Sequence, residues 1–314
     1  MKKNKVLVLE GGLNEEHEIS LKTGKEVKKS LKNLGINFKS IIVNPKTFKQ
    51  EINKFDREYL CFNALHGPFG EDGSIQKILE EKNFKYTHSN AESSYNCFNK
   101  KITKEIINNT KILTPNYLTV DINNLDKKKL QNIFSSLGPF VLKPISSGSS
   151  FGIKIFRNKK DINFFLENYE EVLKIYENHN DLIAEKFISG RELTVAVIEK
   201  DYESLALEVT EILPNNDFFD YEAKYTPGFS KHILPAKIPN KVYNLCKEFA
   251  KIAHDEIKLN GVSRSDFIFD GTDLFFLEIN SQPGLTSISL VPEQLNYQNI
   301  SFDSLIINII NCIK

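Results

Sequence analysis

The chain has 314 residues, 40% of them apolar and 26% charged, with 41 basic and 41 acidic side chains and no net charge. That length exceeds one average domain, and scattered lysines on a neutral chain give no footprint for nucleic acid. Four dispersed cysteines (Cys61, Cys97, Cys246, Cys312) read as reduced thiols, no apolar run reaches membrane-span length, and 6–9 is too short for a signal-peptide core, so a cytoplasmic protein is expected.

In chain order, residues 6–9 form a short buried strand that runs into Gly11-Gly12. A helical pattern with Val27, Leu31 and Leu34 on one face stops at Gly35. Strands are expected over 38–43 and 59–65, the latter ending in His66-Gly67, and Ser74 can cap a helix carrying Ile75, Ile78 and Leu79. Strand and helix alternating in this way predict a parallel α/β sheet over about the first 95 residues, with ligands beyond the strand ends where Gly11, Gly12, His66 and Gly67 fall. A helix near 97–108, a strand through Val120, a helix near 126–136, strands 140–143 and 152–156, a long helix near 161–177 and a strand at 182–187 follow. Strands 193–198 and 205–212 come next, then a polar loop to about 235, a helix over 241–258, a hairpin and a last helix over 302–313. The division expected is 1–96, 97–186 and 187–314.

The hairpin carries the most chemistry. Alternating apolar runs flank Asp270-Gly271, a turn signal. Alternation puts Arg264 and Asp266 on one strand face, and Glu278 and Asn280 on one face of the partner. If Asp266 lies opposite Glu278, all four polar groups point the same way, and Phe267, Ile268, Phe275 and Leu277 anchor the strands. Two carboxylates and an amide oxygen make a hard-oxygen site for Mg²⁺, with Arg264 as a fixed cation beside it. A one-residue slip in register would instead leave a solvated hairpin.

Other segments are less specific alone. Lys143 ends a strand before a Gly/Ser loop (146–150) that can lay N–H groups and hydroxyls on phosphates, although it is not a P-loop. Glu185-Lys186 close another strand, whose edge can serve a purine. Tyr221–Tyr225 lies in a loop long enough to be a lid. Glu15, Glu16 and Glu18 suit a helix start on dipole grounds, or one of them grips an ammonium group.

Together, Gly11-Gly12 with Glu16-His17-Glu18, His66-Gly67 with Gly70-Glu71-Asp72-Gly73, Lys143-Pro144 with Gly148-Ser149-Ser150, Tyr221–Tyr225, and Arg264, Asp266, Glu278, Asn280, Pro283-Gly284 and Ser289-Leu290 make the chain resemble the D-alanine–D-alanine ligases of the ATP-grasp superfamily. It departs from their pattern at Leu13-Asn14 and at 145–147. The resemblance implies an N-terminal Rossmann-like parallel α/β domain followed by a two-lobed ATP-grasp fold with antiparallel sheets, and ATP-driven joining of two D-alanines through an acyl phosphate. It assigns Lys100, Lys143 and Ser150 to ATP phosphates, and Glu185, Lys186, Ile188 and Glu192 to adenine and ribose. Asp266, Glu278 and Asn280 would hold two Mg²⁺ or Mn²⁺. Glu16 would grip the first D-alanine with His66 nearby, while Ser289, Leu290 and Lys224 would meet the second. Arg264 and the Gly284 N–H would hold the oxyanion, and Tyr225, Ser149 and Glu16 would form a relay at the attacking amine. A homodimer is expected, with no nucleic-acid or membrane partner. Alternatives are a ligase with another acceptor such as D-lactate or an L-amino acid, or a nucleotide-binding regulator without turnover. A Rossmann dehydrogenase is disfavoured by the missing third glycine of G-x-G-x-x-G.

Overall fold

A computed structural model gives the fold and describes residues 5–148, 151–176, 181–200, 203–214 and 230–313. The N-terminal sheet is parallel, in the order β2-β1-β3, built from β1 (Lys5–Gly11), β2 (Phe38–Val43) and β3 (Tyr59–Asn63). Val6 through Leu9 are fully buried, as expected of a parallel strand covered on both faces. Helix α1 (His17–Asn33) returns the chain from β1 to β2; α2 (Phe48–Glu51) and α3 (Ser74–Glu81) follow. β3 ends two residues earlier than expected because the Asn63 side chain accepts the Leu65 N–H and turns the chain. The cap of α3 also differs: Ser74 is its first residue, and Asp72 Oδ1 accepts the Ser74 N–H at 2.9 Å.

One helix was expected near 97–108, and two are found, α4 (Ala91–Phe98) and α5 (Lys100–Ile107). Asn99 separates them with an extended backbone, and its side chain caps α5 by accepting the Ile102 N–H. The break frees main chain for pairing, so Asn99 bridges Ser146 and the Lys100 N–H donates to the Ile145 carbonyl at 2.9 Å.

The middle sheet is antiparallel, ordered β4-β7-β5-β6 from β4 (Tyr117–Asp121), β5 (Phe140–Pro144), β6 (Lys154–Phe156) and β7 (Asp181–Lys186). Helices α6 (Lys127–Leu137), α7 (Lys159–Glu167) and α8 (Tyr169–Ile175) belong to this unit; α7 and α8 replace the single long helix expected near 161–177. An Asn158–Asp161 capping box starts α7. Phe140 and Phe156 stack at 4.5 Å in the core beneath.

The third sheet runs β11-β10-β8-β12-β13, with β9 also on β8. Its strands are β8 (Arg191–Lys200), β9 (Glu203–Ala206), β10 (Thr210–Pro214), β11 (Ser230–Ile233), β12 (Val262–Phe269) and β13 (Leu274–Asn280). The strand expected over 205–212 is thus divided into β9 and β10, where the Leu207 N–H turns to the Ala196 carbonyl. Helices α9 (Asn240–Glu256), α10 (Leu290–Tyr297) and α11 (Phe302–Asn311) complete the chain, and α10 had no counterpart in the sequence reading.

Two cores join distant segments. Val6, Val8 and Phe62 pack with Ala196, Ile198, Val262, Leu305 and Ile309, so the parallel sheet shares an interior with the third sheet. Cys97 and Ile107 pack with Phe249, Phe267 and Phe276, which seats α4 and α5 against the same C-terminal part. No helix among the described residues is long and apolar enough to cross a membrane.

Candidate active site

The hairpin β12–β13 sets the site. Asp266 lies directly opposite Glu278 and Arg264 opposite Asn280, the register needed to bring four polar groups to one face. A bulge follows, with Phe267 paired to Phe276 rather than Leu277. The extra residue switches the inward phase of β13, so Leu274 and Phe276 are buried before the bulge and Ile279 after it. The anchors therefore differ from the four expected. Phe267 is one, joined by Phe269, Leu274 and Phe276, whereas Ile268, Phe275 and Leu277 are only half-buried. Phe267 and Phe276 meet edge to face at 5.7 Å, a pairing worth about 0.5–1.5 kcal/mol beyond the area it buries.

The Arg264 guanidinium is forked onto the Asp266 carboxylate, Nε to Oδ1 at 2.9 Å and Nη2 to Oδ2 at 2.8 Å. Thr194 on β8 donates to the same Oδ1 at 2.6 Å. Asn280 Oδ1 accepts the Gln282 N–H at 2.7 Å, which fixes the carboxamide. Two carboxylates and an amide oxygen on paired strands, with cross-strand Cβ atoms about 4.5–5.5 Å apart, are donors that suit Mg²⁺ or Mn²⁺ and leave positions for phosphate oxygens.

A cavity of about 140 Å³ lies between the middle and third sheets. Lys143, Glu185, Lys186, Ile188 and Glu192 line it together, and Val141, Ile155, Ile268 and Leu277 give it apolar walls on which a flat ring can rest. Asp266 and Glu278 stand on its wall as well. Glu185 is buried and carries an ion pair on each oxygen, Lys143 at 2.7 Å from Oε2 and Lys104 at 2.8 Å from Oε1. Burial alone would push the Glu185 carboxyl up, but the two ammonium groups outweigh it and hold the group down at about 2. Burial also lowers Lys143, yet Glu185 and Glu278 outweigh it and raise that ammonium above the usual lysine value.

A second cavity brings together Glu16, His66, Lys100, Arg264, Glu278, Asn280, Gly284, Ser289 and Leu290. Glu16 sits at the start of α1 with its carboxylate against two glycines. A Cβ at Gly67 would collide with Glu16 Oε2, and one at Gly148 would stand 3.2 Å from it. His66 receives support from Thr23 Oγ1, 2.9 Å from Nε2, and from Glu71 Oε1, 3.4 Å from Nδ1. Burial would lower its pKa, but Glu71 and then Glu16 raise it above the usual histidine value. Ser289 precedes α10 without capping it; its Oγ accepts the Thr286 N–H at 3.1 Å. Lys100, expected at the nucleotide phosphates, lines this second cavity, donates to the Ser147 carbonyl at 2.6 Å and lies 4.0 Å from Glu278. Glu278 is shared by the two cavities.

Ser149, Ser150, Lys224 and Tyr225 lie outside the described residues. Glu71, Lys104, Thr194 and His232 also support these cavities, beyond the residues expected from sequence. Lys104 follows Lys100 by one helical turn and so shares its face of α5, a spacing that was a usable signal. His232, which lines the second cavity and pairs with Glu293 at 2.8 Å, had none.

The family model described as "D-ala D-ala ligase C-terminus" matches residues 106–311. A D-alanine–D-alanine ligase of Pelagibacter ubique is 40% identical over 309 residues, covering 96% of this chain and 95% of that protein. Among solved structures, a D-alanine–D-alanine ligase of Bacillus anthracis complexed with ATP has a TM-score of 0.79 at 25% identity, covering 99% of this chain and 97% of that one. A D-Ala:D-Ser ligase of Enterococcus faecalis has a TM-score of 0.81 at 25% identity, covering 99% of both chains.

Proposed function

The chain belongs to the D-alanine–D-alanine ligase family, and from that premise we propose how its residues divide the work of joining two D-alanines at the expense of ATP. It is an ATP-dependent carboxylate–amine ligase with the ATP-grasp fold, and its product is the dipeptide precursor of peptidoglycan. The observation that carries the assignment of roles is Glu278, a carboxylate standing in the walls of both cavities and opposite Asp266.

The apolar-walled cavity takes the adenine and ribose along Glu185, Lys186, Ile188 and Glu192, with Lys143 and the 146–150 loop, including Ser150, toward the phosphates. Lys100 reaches the same phosphates from the substrate side, close to Glu278. Asp266, Glu278 and Asn280 would hold the divalent ions, which would supply positive charge against the phosphates.

Glu16 holds the ammonium of the first D-alanine, and the cationic tendency of His66 balances the neighbouring carboxylates. A carboxylate oxygen of that substrate attacks the γ-phosphorus as the bond to ADP breaks, giving an acyl phosphate. The second D-alanine is held by its carboxylate at Ser289 and Lys224, with Leu290 against its methyl group. Its ammonium loses a proton along the Tyr225, Ser149 and Glu16 relay, and the amine attacks the acyl carbon. Arg264 and the Gly284 N–H hold the oxyanion until the carbon–oxygen bond breaks and phosphate leaves. We assign the units 1–96, 97–186 and 187–314, a homodimer, and a cytoplasmic location where ATP is available.

The test is release of ADP and phosphate on mixing ATP, Mg²⁺ and D-alanine, with product mass read from mixtures of D-alanine, D-serine and D-lactate. ADP and D-alanyl-D-alanine that both require Mg²⁺ and D-alanine are expected. ATP binding with no ADP formed from any of these acceptors would overturn the reading.

A further inference from the structure

We infer that Lys104 is a positioning residue for the ligation: it neutralises Glu185, so that the charge of Lys143 is left available to the ATP phosphates. The inference rests on the reading of the cavity between the middle and third sheets as the nucleotide site.

Lys104 is 1% exposed and lines neither cavity, so it does not touch substrate. A lysine is almost never buried unless it is paired. Its ammonium lies 2.8 Å from Glu185 Oε1 and 5.7 Å from the centre of the Tyr117 ring, which supplies a second attraction for a cation. Lys143 meets the other oxygen, Oε2, at 2.7 Å and, unlike Lys104, stands on the cavity wall.

Two ammonium groups on one carboxylate leave a single net positive charge, and the cavity geometry assigns it to Lys143. With Lys104 absent, Glu185 and Lys143 would form a neutral pair, and a tetra-anionic ligand would meet no net charge from this cluster. Glu185, besides lining the cavity proposed for the purine, is thus a holder of two cations, with one ammonium beside each of its oxygens.

The experiment uses the full-length enzyme. Lys104→Met retains the length of the side chain and still leaves Glu185 paired to Lys143, so the fold is expected to persist. Dissociation constants for ATP, ADP and adenosine are measured for wild type and Lys104→Met. The variant should weaken ATP about tenfold to a hundredfold, from the loss of one unit charge near the phosphates at short range. ADP, with one phosphate fewer, should weaken by less, and adenosine, which carries no phosphate, should bind within about twofold of wild type.

Equal weakening of ATP and adenosine in Lys104→Met, or ATP that binds the variant within about twofold of wild type, would overturn the inference. A wild type that binds none of these ligands and forms no ADP with D-alanine would overturn the functional reading, and the inference with it.

Discussion

Arg264 and Asp266, two residues apart on β12, are locked to each other through two parallel hydrogen bonds of 2.9 and 2.8 Å. The guanidinium proposed to hold the oxyanion thus also competes with a divalent cation for a proposed metal ligand. Arg264→Ala should lower kcat by about 10²–10³-fold, the usual cost of losing one oxyanion donor. It should also lower the Mg²⁺ concentration needed for half-maximal rate, because a fixed positive charge beside Asp266 is gone. Steady-state rates over a Mg²⁺ titration check both. A raised Mg²⁺ requirement would mean that Arg264 organises Asp266 for the metal.

Gly67 combines a left-handed backbone, φ 69°, with contact against the Glu16 carboxylate. Gly67→Ala should displace that carboxylate and raise KM for the first D-alanine about tenfold or more, given that lost charge-assisted contacts cost about 1.5–3 kcal/mol. The strained backbone should lower stability by about 1 kcal/mol. Two-substrate kinetics and thermal melting separate the effects, and an unchanged first KM would count against Glu16 as the ammonium site.

Leu277 is the extra residue of the β13 bulge, and it lets Phe276 and Ile279 both face inward while Glu278 stays opposite Asp266. Deleting Leu277 removes only the unpaired residue, so Glu278 should stay opposite Asp266 and Mg²⁺-dependent ADP formation should persist, whereas Glu278→Ala, which keeps the bulge and removes the carboxylate, should lower it by about 10²-fold or more. Equal losses from both changes would show that the bulge itself, and not the Asp266–Glu278 opposition alone, shapes the site.

His88 is buried edge-on to Phe62, with ring centroids 5.5 Å apart, and burial pushes its imidazole down to about 3. Unfolded, the ring has an ordinary value near 6.5, so the unfolded chain takes up the proton first. The stability this gives is complete above pH 6.5 and is lost as pH falls toward 3, at about 1.4 kcal/mol per unit. Urea midpoints at pH 7, 5.5 and 4.5 should fall steeply for wild type and less so for His88→Asn. Equal slopes would place the acid sensitivity elsewhere.

The opposition of Asp266 and Glu278 was legible because strand alternation and an Asp-Gly turn constrain pairing from both sides of the hairpin. The bulge was not, because Phe275, Phe276 and Leu277 are all apolar and any of them satisfies an inward position. The break at Asn99 was hidden by helical periodicity continuing on both sides of it. Only the pairing of 99–100 with 145–146, distant in sequence, makes a break favourable there. Lys104 reads as a solvated helix lysine until the carboxylate that holds it is brought in from β7. α10 was missed because it is short and carries Pro292 in its first turn, a residue read more readily as a stop than as a start.

Glu278 forms part of the wall of each cavity, so one side chain is lining common to both. In the proposed division of roles, the phosphoryl group passes from nucleotide to amino acid beside this carboxylate. A ligand that moves Glu278 from one side alters the lining of the other, and occupancy of one should then be felt as a change in grip in its neighbour.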